Sequence, residues 1–281
     1  MSLSYFDAHT HLNFVAYNED REATILRARD AGVGMNIVGT QFDTSTSAVA
    51  LAEKYDAVYA TIGLHPIHTG KSYHDEKELG EGGKAFTSRG EVFDMQKYLA
   101  LGQSPKVIAV GECGLDYYRL EEKTKETQVE AFIQQIELAN TLKKPLMLHI
   151  RSAPKGSGEG QAYRDALELV KSHAKVLGDV HFFAGDWAIA KSWLDIGFTL
   201  SFTGVLTFTH DYDEVVKNAP LDMLLSETDA PYITPVPYRG KRNESAYVTE
   251  IVQAVARIRG EEIETVSTQV LQNARRLFSL K

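Results

Sequence analysis

Val107-Ile108-Ala109-Val110-Gly111-Glu112 is apolar on both of its alternating faces and stops at a carboxylate. Side chains alternate across a strand, so a run without a polar face must be covered on both sides. That is the condition of a parallel strand with helices outside and packed side chains inside. Working outward, short apolar runs, several of them also apolar on both faces, recur at Tyr5–His9, Met35–Gly39, Val58–Leu64, Leu146–Ile150, Val180–Phe183, Phe198–Phe202 and Met223–Ser226. Helical patterns separate them at Glu22–Ala31, Thr46–Tyr55, Glu91–Leu101, Thr127–Lys143, Tyr163–Ala174, Asp186–Ile196 and Tyr212–Asn218. Two more, Tyr247–Arg259 and Glu261–Phe278, follow the last run. Eight such units in 281 residues predict an α/β protein, a TIM-type (β/α)8 barrel forming one domain over residues 1–281. An open doubly wound sheet is the alternative, but no Gly-x-Gly-x-x-Gly follows the first run. Residues 68–90 and the glycine-rich 154–161 exceed what a connection needs, and both read as surface insertions.

Composition narrows the function. The net charge of −8 argues against broad coating of nucleic acid, though not against a local grip on a few phosphates. No apolar run approaches the ~20 residues of a membrane span, so no membrane association is expected. One cysteine rules out an internal disulfide, and with no leader-like N-terminus it predicts a cytoplasmic protein. Nothing in the sequence suggests an obligate protein partner. Cys113 follows Glu112 and should point away from it, as an inert buried thiol.

Nine histidines are unevenly placed, and five of them, His9, His11, His65, His149 and His181, lie within or just after a predicted strand. Barrels gather their chemistry at the C-terminal ends of strands, so these five meet in space. Asp7, Glu112, Asp116, Glu227 and Asp229 lie at the same level. Imidazoles and carboxylates at one rim are what a two-ion site requires. His9 and His11 share a strand face and can chelate one ion. Glu112 offers two oxygens and is expected to bridge two ions, with His149 and His181 as end ligands of the second. Asp229 can ligate the first ion, orient water or accept its proton, and Glu227 on the same strand face can fix a ligand from behind. Arg119, Arg151, Lys155, Arg239, Lys241 and Arg242 follow strand ends, so the mouth can be positive although the protein is acidic.

Phe6-Asp-Ala-His-Thr-His11, Gly63-Leu-His-Pro66, Ala109-Val-Gly-Glu-Cys-Gly-Leu-Asp-Tyr117, Glu227-Thr-Asp-Ala-Pro-Tyr232 and Arg239-Gly-Lys-Arg-Asn-Glu244 together resemble the TatD family of metal-dependent deoxyribonucleases. The resemblance runs over nearly the whole chain. It implies metal positions at His9, His11, Glu112, His149, His181 and Asp229, with Asp229 also the acid/base and Glu112 catalytic as the bridge. It implies phosphate contacts at His65 and in the segment holding Arg239 and Arg242, beside Arg151. The expected cofactors are two divalent ions (Zn²⁺, Mn²⁺ or Mg²⁺). The expected substrate is a single-stranded DNA end, cut by 3'-5' exonuclease action. Two other readings stand beside it: a metal-dependent ester hydrolase such as a D-aminoacyl-tRNA deacylase, and a non-catalytic metal-binding protein. The chain departs from the family where Ile67 follows His65-Pro66, with His68 one place later, and where Ser245 follows Glu244.

Overall fold

A computed structural model describes residues 3–71, 73–74, 86–118, 122–154 and 160–280. Its main sheet has eight parallel strands in chain order. They are β1 Tyr5–Thr10, β2 Val33–Val38, β3 Val58–Ile62, β4 Val107–Asp116, β5 Leu146–Arg151, β6 Gly178–His181, β7 Thr199–Phe202 and β8 Leu224–Ser226. The helices are α1 Arg21–Asp30, α2 Phe42–Ala52, α3 Met95–Leu101, α4 Glu122–Leu142, α5 Gln161–His173, α6 Trp187–Leu194, α7 Asp213–Asn218, α8 Val248–Arg259 and α9 Ile263–Phe278. This is the (β/α)8 barrel that the alternating runs predict. Among the described residues no helix is long and apolar enough to cross a membrane.

The seam between β8 and β1 decides the shape of the site. The two strands meet beyond the end of β8, where Thr10 bridges Ala230. There His11 N donates to Ala230 O at 2.7 Å, and Asp229 N donates to His9 O at 2.9 Å. Below these bonds the buried Asp7 carboxylate accepts from Thr228 N at 2.8 Å and Thr228 Oγ1 at 2.6 Å. A side chain thus takes over the work of ladder hydrogen bonds, and closure itself brings His9, His11 and Asp229 together. Helix α9 covers the same seam, with the Phe278 ring 6.0 Å from that of Phe6. Burying Phe6 fully contributes roughly 1.5–3 kcal/mol.

The boundaries shift where side chains compete with the periodic pattern. Strand β4 runs on to Asp116, well past the Val107–Gly111 expected from sequence. Its register slips between Gly111 and Cys113, so Glu112 occupies a bulge. Gly111 (φ +152°) and Gly114 (φ +142°) permit this, since a Cβ on either would lie 2.3 Å from Met147 O or 2.1 Å from His149 O. Helix α2 starts at Phe42, earlier than expected, because Gln41 and Thr44 form a capping box. Helix α3 starts later, at Met95, where Asp94 accepts from the Gln96 and Lys97 amides. Glu91, expected inside that helix, instead accepts from Phe42 N and the Tyr98 hydroxyl.

Within the first insertion, Tyr73–His74 pairs antiparallel with Phe86–Thr87. Residues 72 and 75–85 of this insertion lie outside the described residues, as do most of the second insertion (155–159) and Arg119 and Lys155.

Candidate metal centre

Glu112 stands at the centre of the barrel mouth, and its two oxygens face different partners. Oε2 lies 3.4 Å from His9 Nε2 and 3.6 Å from His11 Nε2. Oε1 lies 2.9 Å from His149 Nδ1, 3.2 Å from His65 Nε2 and 3.7 Å from His181 Nε2. Asp229 joins the first group, with Oδ1 at 3.4 Å from His11 Nε2 and 3.9 Å from His9 Nε2. All of these side chains except His149 are almost wholly buried.

The first group has the spacing of a metal site. Tetrahedral ligands about 2.0–2.2 Å from an ion lie about 3.3–3.6 Å from one another. The Nε2 atoms of His9 and His11 are 3.2 Å apart, and their distances to Glu112 and Asp229 run from 3.4 to 3.9 Å. Two carboxylates and two ring nitrogens packed so closely in a dry site call for a cation among them. The tautomer agrees: His11 Nδ1 is 3.0 Å from Val38 O, which can only accept, so Nδ1 holds the proton and Nε2 keeps its lone pair.

The second group mixes ligands with a donor. His65, Glu112 and His149 lie within coordinating reach of one another. However, Ile67 N donates to His65 Nδ1 at 3.1 Å, so the ring proton sits on Nε2, pointing at Glu112. In that form His65 presents a hydrogen bond, not a lone pair. Burial, reinforced by the neighbouring His149, pulls its pKa down to about 4, so it is neutral near pH 7. His149 is held from both sides, since its Nε2 meets Asp116 Oδ2 at 2.9 Å. His181 Nδ1 is 2.9 Å from Glu227 Oε1. Burial works against a charge on His181, but Glu227 outweighs it and pushes the pKa up to about 10. Burial would raise Glu112 and Asp229, yet the surrounding imidazoles hold both below the usual carboxylate range, Glu112 well below it. Both are ionised, as ligands to a cation must be. Cys113 is buried among apolar side chains, and desolvation pushes its thiol up, which suits an inert residue.

A cavity of about 620 Å³ opens above this cluster. Its lining includes Asp229, Glu112, His68 and Arg151, with Phe14, Phe182 and Ile233 among its apolar parts. The model of the family described as TatD related DNase matches residues 6–279. The chain belongs to the TatD family of metal-dependent hydrolases. A Bacillus subtilis relative described as the metal-dependent hydrolase YabD is 35% identical over 98% of this chain and 99% of its own. A Mycobacterium tuberculosis relative, described as the metal-dependent hydrolase TatD, is 34% identical over 98% of this chain and 97% of its own. The structure of YjjV, a TatD homologue from Escherichia coli, superposes with a TM-score of 0.81 at 25% identity, covering 100% of both chains.

In this TatD-family chain the fold brings all six proposed ligands and His65 to one place, from β1, β4, β5, β6 and the segments after β1, β3 and β8. The arginines divide. Arg151 lines the cavity, with its guanidinium carbon 3.8 Å from the centroid of the Tyr118 ring. Arg242 donates to Asp20 at 2.7 and 2.8 Å and to Ala16 O at 2.7 Å. Arg239 donates to Thr234 O at 2.8 Å and stacks on Phe208. Neither Arg239 nor Arg242 is among the described residues that line the cavity.

Three contributors went unassigned in the sequence. Asp116 orients His149; its signal was the even spacing from Glu112, which keeps both on one strand face. Phe14 stacks on His11 with ring centroids 4.4 Å apart. His68 lines the cavity although it is one place removed from the family's usual second histidine.

Proposed function

We propose that this chain is a two-ion phosphodiesterase that removes nucleotides from the 3' end of single-stranded DNA. The observation that carries the reading is the division of labour at Glu112, whose oxygens address two separate imidazole sets. Divalent ions in such a pair of sites would supply a nucleophile at neutral pH and offset charge on the phosphate. The protein's own groups do the rest. Asp229, ionised and at the cavity edge, takes the proton of the attacking water. With Glu112 engaged by the ions, the His65 Nε2 proton that faces it here would turn to a phosphate oxygen, and Arg151 adds positive charge on the cavity wall. A cavity of about 620 Å³ at the barrel mouth suits a terminal nucleotide better than the middle of a duplex, and that favours chain ends.

The test is a panel of end-labelled single-stranded DNA, duplex DNA, RNA and aminoacyl-tRNA, each with Mg²⁺ or Mn²⁺. Shortening of single-stranded DNA one nucleotide at a time from its 3' end is expected. Release of amino acid from aminoacyl-tRNA without DNA cleavage would replace this reading with that of a carboxylic ester hydrolase on the same metals. No turnover of any substrate by metal-loaded protein would leave a binding protein.

A further inference from the structure

Five non-glycine residues among those described have φ between 45° and 54°. Lys143 and Ser279 directly follow the ends of helices α4 and α9, where a left-handed residue is an ordinary terminator. The other three, Phe182, Asp229 and Ile233, all line the one cavity over the metal cluster. Aspartate tolerates this conformation. An aromatic residue does so poorly, and a β-branched one is a true outlier there. Such backbone persists only where surrounding contacts enforce it, and here they do. Phe182 N donates to Glu227 Oε1 at 2.7 Å, the oxygen that also faces His181 Nδ1. At Ile233 the carbonyl packs against Gly204 so closely that a Cβ on that glycine would lie 2.3 Å from it. The Phe182 ring is only half-buried and meets His181 edge-on, with centroids 6.0 Å apart. A ring held out in this way contributes little to the core. It does present an apolar face beside the histidines.

We propose that Phe182, with Ile233, forms a specificity subsite that stacks the base of the terminal nucleotide while its phosphate lies on the metal side of the cavity. This rests on the phosphodiesterase reading and names what the rest of the cavity receives. The occupant follows from the chemistry: a flat aromatic group joined by a sugar to an anion, because an aromatic ring and a branched aliphatic chain line the same cavity as the imidazoles and Arg151. Base stacking on an aromatic side chain tolerates any base, so the subsite selects for the presence of a base and not its identity.

The experiment compares single strands ending in a normal nucleotide with strands ending in an abasic sugar. It uses wild type, Phe182→Gly and Phe182→Tyr. Wild type is expected to show a KM about tenfold lower for the base-bearing end. Phe182→Gly should lose that preference through KM while its thermal midpoint holds or rises, because glycine is at ease with positive φ. Phe182→Tyr should restore it. A subsite with a purely structural role would instead lower the midpoint and leave the KM ratio untouched. Equal KM for both ends in wild type, or a preference that survives Phe182→Gly, overturns the proposal. If wild type cleaves neither strand, the phosphodiesterase reading fails by itself, and binding still decides the subsite. Tighter binding of deoxyadenosine monophosphate than of deoxyribose 5-phosphate, lost in Phe182→Gly, supports it; equal binding refutes it.

Discussion

Two parts of the catalytic rim carry arginine, and they use it for different ends. Around Arg239–Glu244 the charges are turned onto the protein. Arg242 is bound to Asp20, Glu244 receives Arg27 at 2.5 Å, and Asn243 Nδ2 donates to Thr228 O and Tyr232 O at 2.9 and 2.6 Å. Tyr17 completes the brace by donating its hydroxyl proton to Asn243 O at 2.6 Å. On the opposite rim, Arg151, Phe182, Ala184 and Gly185 line the cavity. The first region holds the loop that carries Asp229, and the second faces what enters. Position after a strand end therefore does not tell a strut from a clamp. The partners on neighbouring loops do.

The largest effect is expected where the two regions meet, at Asp229. Asp229→Asn should lower kcat by about 10²–10⁴ with little change in thermal stability, since it removes a proton acceptor but almost no volume. Steady-state kinetics beside a melting curve checks this. Turnover near that of wild type would remove Asp229 from the proton's path.

Next comes the brace itself. Asn243→Ala leaves one buried and one partly buried carbonyl without their donor and should cost about 2–4 kcal/mol in urea unfolding. A cost below about 0.5 kcal/mol would mean that the loop does not depend on it.

The arginines then sharpen the contrast. Arg151→Ala should raise KM for oligonucleotides roughly tenfold with the fold unaffected. Arg242→Ala should cost about 1 kcal/mol or less of stability and leave KM close to that of wild type. The reverse pattern would break the comparison, and Arg242 would then be the phosphate contact that the family resemblance implies.

The smallest effect is a pH dependence. Hydrogen bonds from Arg242 hold the Asp20 carboxyl at about 2, below its ordinary 3.8. A carboxyl depressed in the folded state stabilises above its unfolded pKa and loses that contribution as pH falls through the folded one. Stability from this bridge is therefore present above about pH 4 and fades towards pH 2. Asp20→Asn should flatten the wild-type slope over that window. An identical slope would show that the bridge adds nothing in solution.

The barrel was legible because its signal is periodic. Eight short apolar runs, several of them apolar on both faces, leave few architectures, and β1, β4, β5 and β6 or the residues just after them deliver ligands at the ends the pattern marks. Register is what sequence conceals. The bulge at Glu112 depends on how Gly111 and Gly114 pass Met147 and His149, contacts between residues more than thirty positions apart in sequence. The same holds for His65, whose role turns on one amide, Ile67 N, fixing which nitrogen holds the proton. Asp7 shows the limit from the other side: an acid at the level of the ligands serves the seam, because Thr228 takes both of its oxygens. Phe182 was out of reach altogether, since nothing in the sequence marks a left-handed backbone at a phenylalanine.

The central claim is that Glu112 joins two metal sites, and anomalous diffraction from crystals loaded with Mn²⁺ tests it most directly. Two peaks about 3.5–4 Å apart are expected, one on each oxygen of Glu112. The first should be within bonding distance of His9 and His11, and the second of His149 and His181. A single peak, or a pair that Glu112 does not touch, would contradict the account.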